Sequence, residues 1–177
     1  MTVHQMLFNR NDNLMHFAGD GHHVSAPLEN GDGPYRAMRG ALRDAGIDPK
    51  EVGHINCHAT STPLGDRAEC RAVQRLFGEH TPNVMLTASK SACGHMISAT
   101  GAAESLWTIL ACYEGRVPPI LNLKPENLDA EIVKIKPSIH FVAPVAEQWT
   151  AKRRIALKNA FGFGGTNASL VVSNYIP

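Results

Sequence analysis

The stretch 97–113 constrains this chain more than any other, because at helical spacing it is apolar on almost every side. Ile97, Ala99, Ala102, Ala103, Leu106, Trp107, Ile109, Leu110 and Ala111 run round its circumference, interrupted by Ser98, Thr100, Glu104, Ser105 and Thr108. A helix apolar on nearly all sides is buried on nearly all sides. A sheet covers one face, and the rest of a chain of 177 residues offers few elements to cover the other. The segment is therefore expected to be a helix that packs partly against something outside this chain. It is too short for a membrane span, and Glu104 interrupts its most apolar part.

Around it, helical spacing predicts a helix over 32–45, capped by Asp32 and stopped by Gly46 and Pro49. A second helix is predicted over 66–77, ending at Gly78. Short strands are predicted at 54–58, 84–88, 139–142, 154–159 and 168–173. Strands alternating with helices imply an α/β domain. The sheet should be mixed, because no helix separates the last two strands. The loop 121–137 is rich in Asn, Pro and charge and should lie on the surface. Residues 1–18 show no clear periodicity and are expected to be a divergent, partly disordered segment before one domain at 19–177. Lys and Arg number 17 against 16 Asp and Glu, so charge gives no reason to expect nucleic acid or an anionic membrane as partner. Cys57, Cys70, Cys93 and Cys112 form no C-x-x-C and no zinc-type spacing with His, so reduced thiols and no metal are expected. Asn9, Arg10, Asn11 and Asp12 stand where a secretory signal would be apolar. The same segment makes a poor transit peptide.

Three clusters each follow a predicted strand. The first is His58-Ala59-Thr60-Ser61-Thr62-Pro63-Leu64-Gly65-Asp66. The second is Lys90-Ser91-Ala92-Cys93-Gly94-His95, leading into the apolar helix with its Glu104. The third is Asn159-Ala160-Phe161-Gly162-Phe163-Gly164-Gly165-Thr166-Asn167. In α/β folds ligands bind beyond the carboxyl ends of strands. Singly, each has a plain structural explanation: a strand-end histidine, a Lys90–Glu104 salt bridge, two core phenylalanines. The glycine loop is neither a dinucleotide fingerprint nor a P-loop.

In this order and spacing the three clusters resemble the signature of the β-ketoacyl-acyl-carrier-protein synthases, the ketosynthases of the thiolase-like superfamily. Gly19 to Pro27 and Pro118-Pro119-Ile120-Leu121-Asn122-Leu123 resemble flanking segments, so the likeness runs from Gly19 to Val172. Ala59 resembles the mitochondrial type, which leaves a mitochondrial or a cytoplasmic location open. The resemblance implies the C-terminal half of a thiolase-like fold, with 97–113 as its central helix. It implies an acyltransferase of fatty acid synthesis that condenses a Cys-bound acyl chain with malonyl carried on acyl carrier protein. Phosphopantetheine on the carrier would hold the substrate, with no further cofactor. His58 and His95 match the catalytic histidines and Lys90 the active-site lysine, with Glu104 its carboxylate. Thr60 and Thr62 match contacts to the phosphopantetheine arm. Phe163, with Phe161 and Gly164 beside it, matches the gate and oxyanion loop. Asp66 is read as a helix cap.

The family's nucleophile lies near Asp-Thr-Ala-Cys-x-Ser-Gly in its N-terminal half, and no such segment occurs in these 177 residues. The expectation is a chain that cannot condense alone and that pairs with a missing N-terminal half within a homodimer. A non-catalytic chain-length or binding subunit is the alternative, against which the retained His58, Lys90 and His95 count. A thiolase would need a cysteine after Cys112, and none follows.

Overall fold

A computed structural model describes residues 14–176. Eight strands form: β1 Met15–Gly19, β2 Val52–Asn56, β3 Met85–Thr87, β4 Arg116–Val117, β5 His140–Phe141, β6 Glu147–Gln148, β7 Ile155–Gly162 and β8 Thr166–Ser173. Among the described residues five α-helices join them: α1 Asp32–Ala45, α2 Pro63–Phe77, α3 Lys90–Cys93, α4 Ser98–Glu114 and α5 Ala130–Val133. Six strands make one sheet in the order β1-β8-β7-β2-β3-β5, and β4 pairs β6 separately. The pairs β7–β2, β2–β3 and β3–β5 are parallel, while β1–β8 and β8–β7 are antiparallel. The sheet is mixed, as the missing crossover helix before β8 required.

Alternation along β7 sorts its side chains between two cores. Ile155 and Leu157 join Met38 and Leu42 of α1 and Val73 and Phe77 of α2 on one face. Ala156 faces the other way, with Cys112 of α4, Val117 and Trp149. Gly31, not Asp32, caps helix α1; its φ of 70° is left-handed, and its added Cβ would lie 2.2 Å from the Ala68 carbonyl of α2. Only glycine allows that approach of the two helices.

Several elements differ from their expected bounds: the strand expected at 54–58 is Val52–Asn56, and that expected at 154–159 runs on to Gly162. Helix α2 starts three residues before Asp66, because Pro63 suits the first helical turn. The fold begins ahead of Gly19: Met15–Gly19 is an edge strand on β8. It was masked in the sequence by His16 and by its short length. Residues 1–13 lie outside the described residues. The loop 121–137 holds the short helix α5, with Ile132 buried beneath it.

Helix α4 lies on the sheet, and among the described residues only one face of it is covered. That face carries its polar stripe: Thr100, Glu104 and Thr108, one turn apart, are buried, followed by Ala111 and Cys112. Ile97 is 76% exposed, Leu106 55%, Tyr113 56% and Leu110 41%. The helix was expected to need an outside partner; among the described residues these apolar side chains are uncovered. The 177-residue chain is therefore expected to bind a hydrophobic dye strongly. Replacing Leu106 and Leu110 by Lys should reduce that fluorescence without lowering the melting temperature, since neither side chain supports the described core.

Candidate active site

Parallel strands end at the same edge, so the segments after β2 and β3 meet the end of β7. His58 follows β2, Lys90 opens α3 after β3, and Phe161 lies near the end of β7. The His58 ring centre is 5.8 Å from that of His95, with planes at 86°, and 5.4 Å from that of Phe161. A cleft of about 710 Å³ opens beside them, lined among others by Thr60, Asp66, Glu69, Lys90 and His95.

Charged side chains grip the backbone around His58. Glu69, buried on α2, accepts from the His58 and Ala59 amides at 3.0 Å each. It also accepts from Asn159 Nδ2 at 3.0 Å, tying this loop to the glycine loop. Lys90 Nζ donates to the His58 carbonyl and lies 2.9 and 3.1 Å from the two oxygens of Glu104. Between these anchors Ala59 and Ser61 take positive φ values of 29° and 61°. Such backbone is costly for non-glycine residues and persists only when neighbours over-determine it.

The histidines present usable donors. His95 Nδ1 accepts from the Ile97 amide at 3.0 Å, and the Thr100 hydroxyl lies 3.2 Å from the same atom. In the neutral ring that places the proton on Nε2 and leaves it free to donate. Burial pushes His58 down to about 3, helped by the nearby Lys90, Lys158 and His95. His58 is therefore a neutral imidazole at physiological pH.

The remaining expected site residues are spread more widely. The Thr60 and Thr62 hydroxyls lie 3.0 Å apart on the loop. Gly164 sits in the β7–β8 hairpin turn at φ 83°. Phe163, at the tip of that turn, is 85% exposed, so the turn does not close over the histidines. Asp66 is not the cap of α2. Thr62 holds that position, and Asp66 lies a turn inside, with Oδ1 buried and unpartnered among the described residues. Desolvation, then Glu69, raises its carboxyl to about 6. The cysteines are reduced, with burial pushing Cys57, Cys70 and Cys112 up, the last to about 12.

Two buried residues were missed from the sequence. Lys158 on β7 places Nζ 2.8 Å from Glu104 Oε2, so one carboxylate serves two ammoniums. Glu69 stands eleven residues after His58, on the face of α2 turned to the loop. A charge in the midst of Ile155-Ala156-Leu157 was the available signal for Lys158.

The profile of the beta-ketoacyl synthase C-terminal domain matches residues 14–124. The chain belongs to the β-ketoacyl synthase family. It is 41% identical over 159 residues to the mitochondrial 3-oxoacyl-[acyl-carrier-protein] synthase of Arabidopsis thaliana, covering 89% of this chain and 33% of that one. A β-ketoacyl synthase from Burkholderia phymatum superposes with a TM-score of 0.79 at 32% identity, over 93% of this chain and 37% of that one. A ketosynthase in complex with its chain length factor from Xenorhabdus doucetiae gives 0.79 at 30%, over 92% and 38%. The chain thus spans about a third of the length of the curated relatives it matches. The match opens at residue 14, which brings strand β1 into this synthase domain.

Two outcomes follow from the buried charges. Glu104→Leu leaves Lys90 and Lys158 without their counter-charge, and chemical denaturation should show a loss of about 3–5 kcal/mol. Acid should also destabilise the fold. Burial lowers both His54 and His58 to about 3, so below the ordinary value of 6.5 the unfolded chain binds two protons that the folded chain refuses. Asp66, raised to about 6, acts oppositely but supplies one proton against two. The stability of the wild-type chain should therefore fall as pH drops below about 6.5. A denaturation midpoint unchanged between about pH 7 and about pH 5 would contradict this assignment.

Proposed function

We propose that this chain supplies the decarboxylation and condensation machinery of a 3-oxoacyl-acyl-carrier-protein synthase, acting in fatty acid synthesis. The observation that carries the reading is the pair of imidazoles with centres 5.8 Å apart, one neutral through burial and one with Nε2–H free. As the bond between the malonyl carboxylate and the adjacent carbon breaks, CO₂ leaves and its electron pair enters the thioester, with negative charge on the carbonyl oxygen. Two N–H donors converging on that oxygen stabilise the enolate, each worth about 3–4 kcal/mol in such sites. The enolate carbon then attacks the acyl thioester, expelling a cysteine thiolate.

Lys90 and Glu104 orient His58 through its carbonyl. Thr60 and Thr62 contact the phosphopantetheine arm of acyl carrier protein, and the Phe163–Gly164 turn gates the acyl pocket and donates to its oxyanion. No other cofactor enters. Buried thiols with raised proton affinity are poor nucleophiles, so Cys57, Cys70 and Cys112 do not hold the acyl chain. That cysteine comes from an N-terminal synthase half, which also covers α4, within a homodimer. The retained His58, Lys90 and His95 favour this over a non-catalytic chain-length subunit. The name of the Arabidopsis relative supports a mitochondrial location.

The 177-residue chain is expected to form no β-ketoacyl product from acyl- and malonyl-carrier protein. Supplied with a cysteine-bearing N-terminal half, it should condense them. In that assembly His58→Ala or His95→Ala should each cut malonyl decarboxylation about 10²–10³-fold. Product from the chain alone, or full decarboxylation in both variants, would refute the assignment.

A further inference from the structure

Lys158 lies mid-strand in β7, its backbone paired with Asn56 of β2 and Leu170 of β8. Its side chain is 3% exposed, and its ammonium meets Glu104 Oε2 and the Asn159 carbonyl. A buried ammonium is costly unless paired. Lys90 already reaches both oxygens of Glu104, so Lys158 is a second cation on one carboxylate. The charge left over is on the opposite face of the sheet. Glu69 is 2% exposed and makes no salt bridge among the described residues. It holds neutral N–H donors alone: the His58 and Ala59 amides and Asn159 Nδ2. Of the side chains no more than 6% exposed, Lys90 and Lys158 offset Glu104 and Glu69, while Asp66 lies at the rim. Without Lys158 the buried cluster carries a net negative charge. Asn159 joins the two sides, its carbonyl on Lys158 and its amide on Glu69.

We infer that Lys158 is a positioning residue of the same site, fixing Glu104 and thereby Lys90 on the His58 carbonyl, and balancing Glu69 across the sheet. The inference rests on the proposed function for its catalytic consequence, but not for its geometry. The charged and titratable groups around His58 are Lys90, Lys158, His95, Glu69, Glu104 and Asp66. Removing one cation from that set makes proton uptake by His58 easier.

The test follows the His58 imidazole nitrogens by NMR through acid titration in the wild-type chain and in Lys158→Met, Lys158→Gln and Lys158→Arg. In K158M or K158Q, whichever folds, His58 should take its proton about one pH unit higher than in wild type, and K158R should restore it. In the assembly with the N-terminal half, K158Q should lower kcat for malonyl decarboxylation about tenfold with KM unchanged, with K158R recovering the rate. An unmoved His58 titration in the neutral variants overturns the inference. So does collapse of the fold in both, which would make Lys158 a structural ion only. If the wild-type assembly decarboxylates nothing, the proposed function fails, while the imidazole titration still decides the role of Lys158.

Discussion

One fully buried carboxylate, that of Glu104, holds the site together. It stands on α4, takes Lys90 from the turn after β3, and takes Lys158 from β7. A carboxylate shut away from water is tolerated because ammoniums pair with it. The same contact fixes His58 indirectly, since the ammonium on Glu104 also holds the carbonyl of His58. Glu69 does the corresponding work from the other side of the sheet, through the amides of the same loop. His58 is thus held by its backbone, from above and below, while its ring stays free of hydrogen bonds among the described residues.

That arrangement accounts for the shape of the loop. Two non-glycine residues, Ala59 and Ser61, sit in left-handed backbone within three positions. Such a turn relaxes if its amides and carbonyls are released. Here Glu69 and Lys90 occupy them, so the loop holds the ring of His58 in one orientation. Preorganised donors avoid the reorganisation that water would have to make.

Much of this was readable in the residues. The three clusters were legible because each follows a strand, and parallel strands bring their carboxyl ends to one edge. Helix 32–45 was legible from its periodicity and from Gly46, which is left-handed and closes it. The cap role of Asp66 misread a helix that Pro63 starts earlier. Lys158 and Glu69 escaped because their partners are 54 and 11 residues away in the chain, a distance that no local pattern encodes. Met15–Gly19 escaped for a similar reason, since its pairing with β8 joins residues more than 140 apart. For α4 the residue types announced an uncovered surface, but not that the sheet would take the polar stripe.

That stripe settles which way round the helix lies. An evenly apolar cylinder has no preferred azimuth against a sheet, and several rotations would bury similar area. Thr100, Glu104 and Thr108 remove the ambiguity, because turning Glu104 away from Lys90 and Lys158 strands three charges. The outward ridge of Leu106, Leu110 and Tyr113 is consequently locked in place before anything docks on it. Any polypeptide that covered this ridge would meet a preset template rather than a cylinder free to roll.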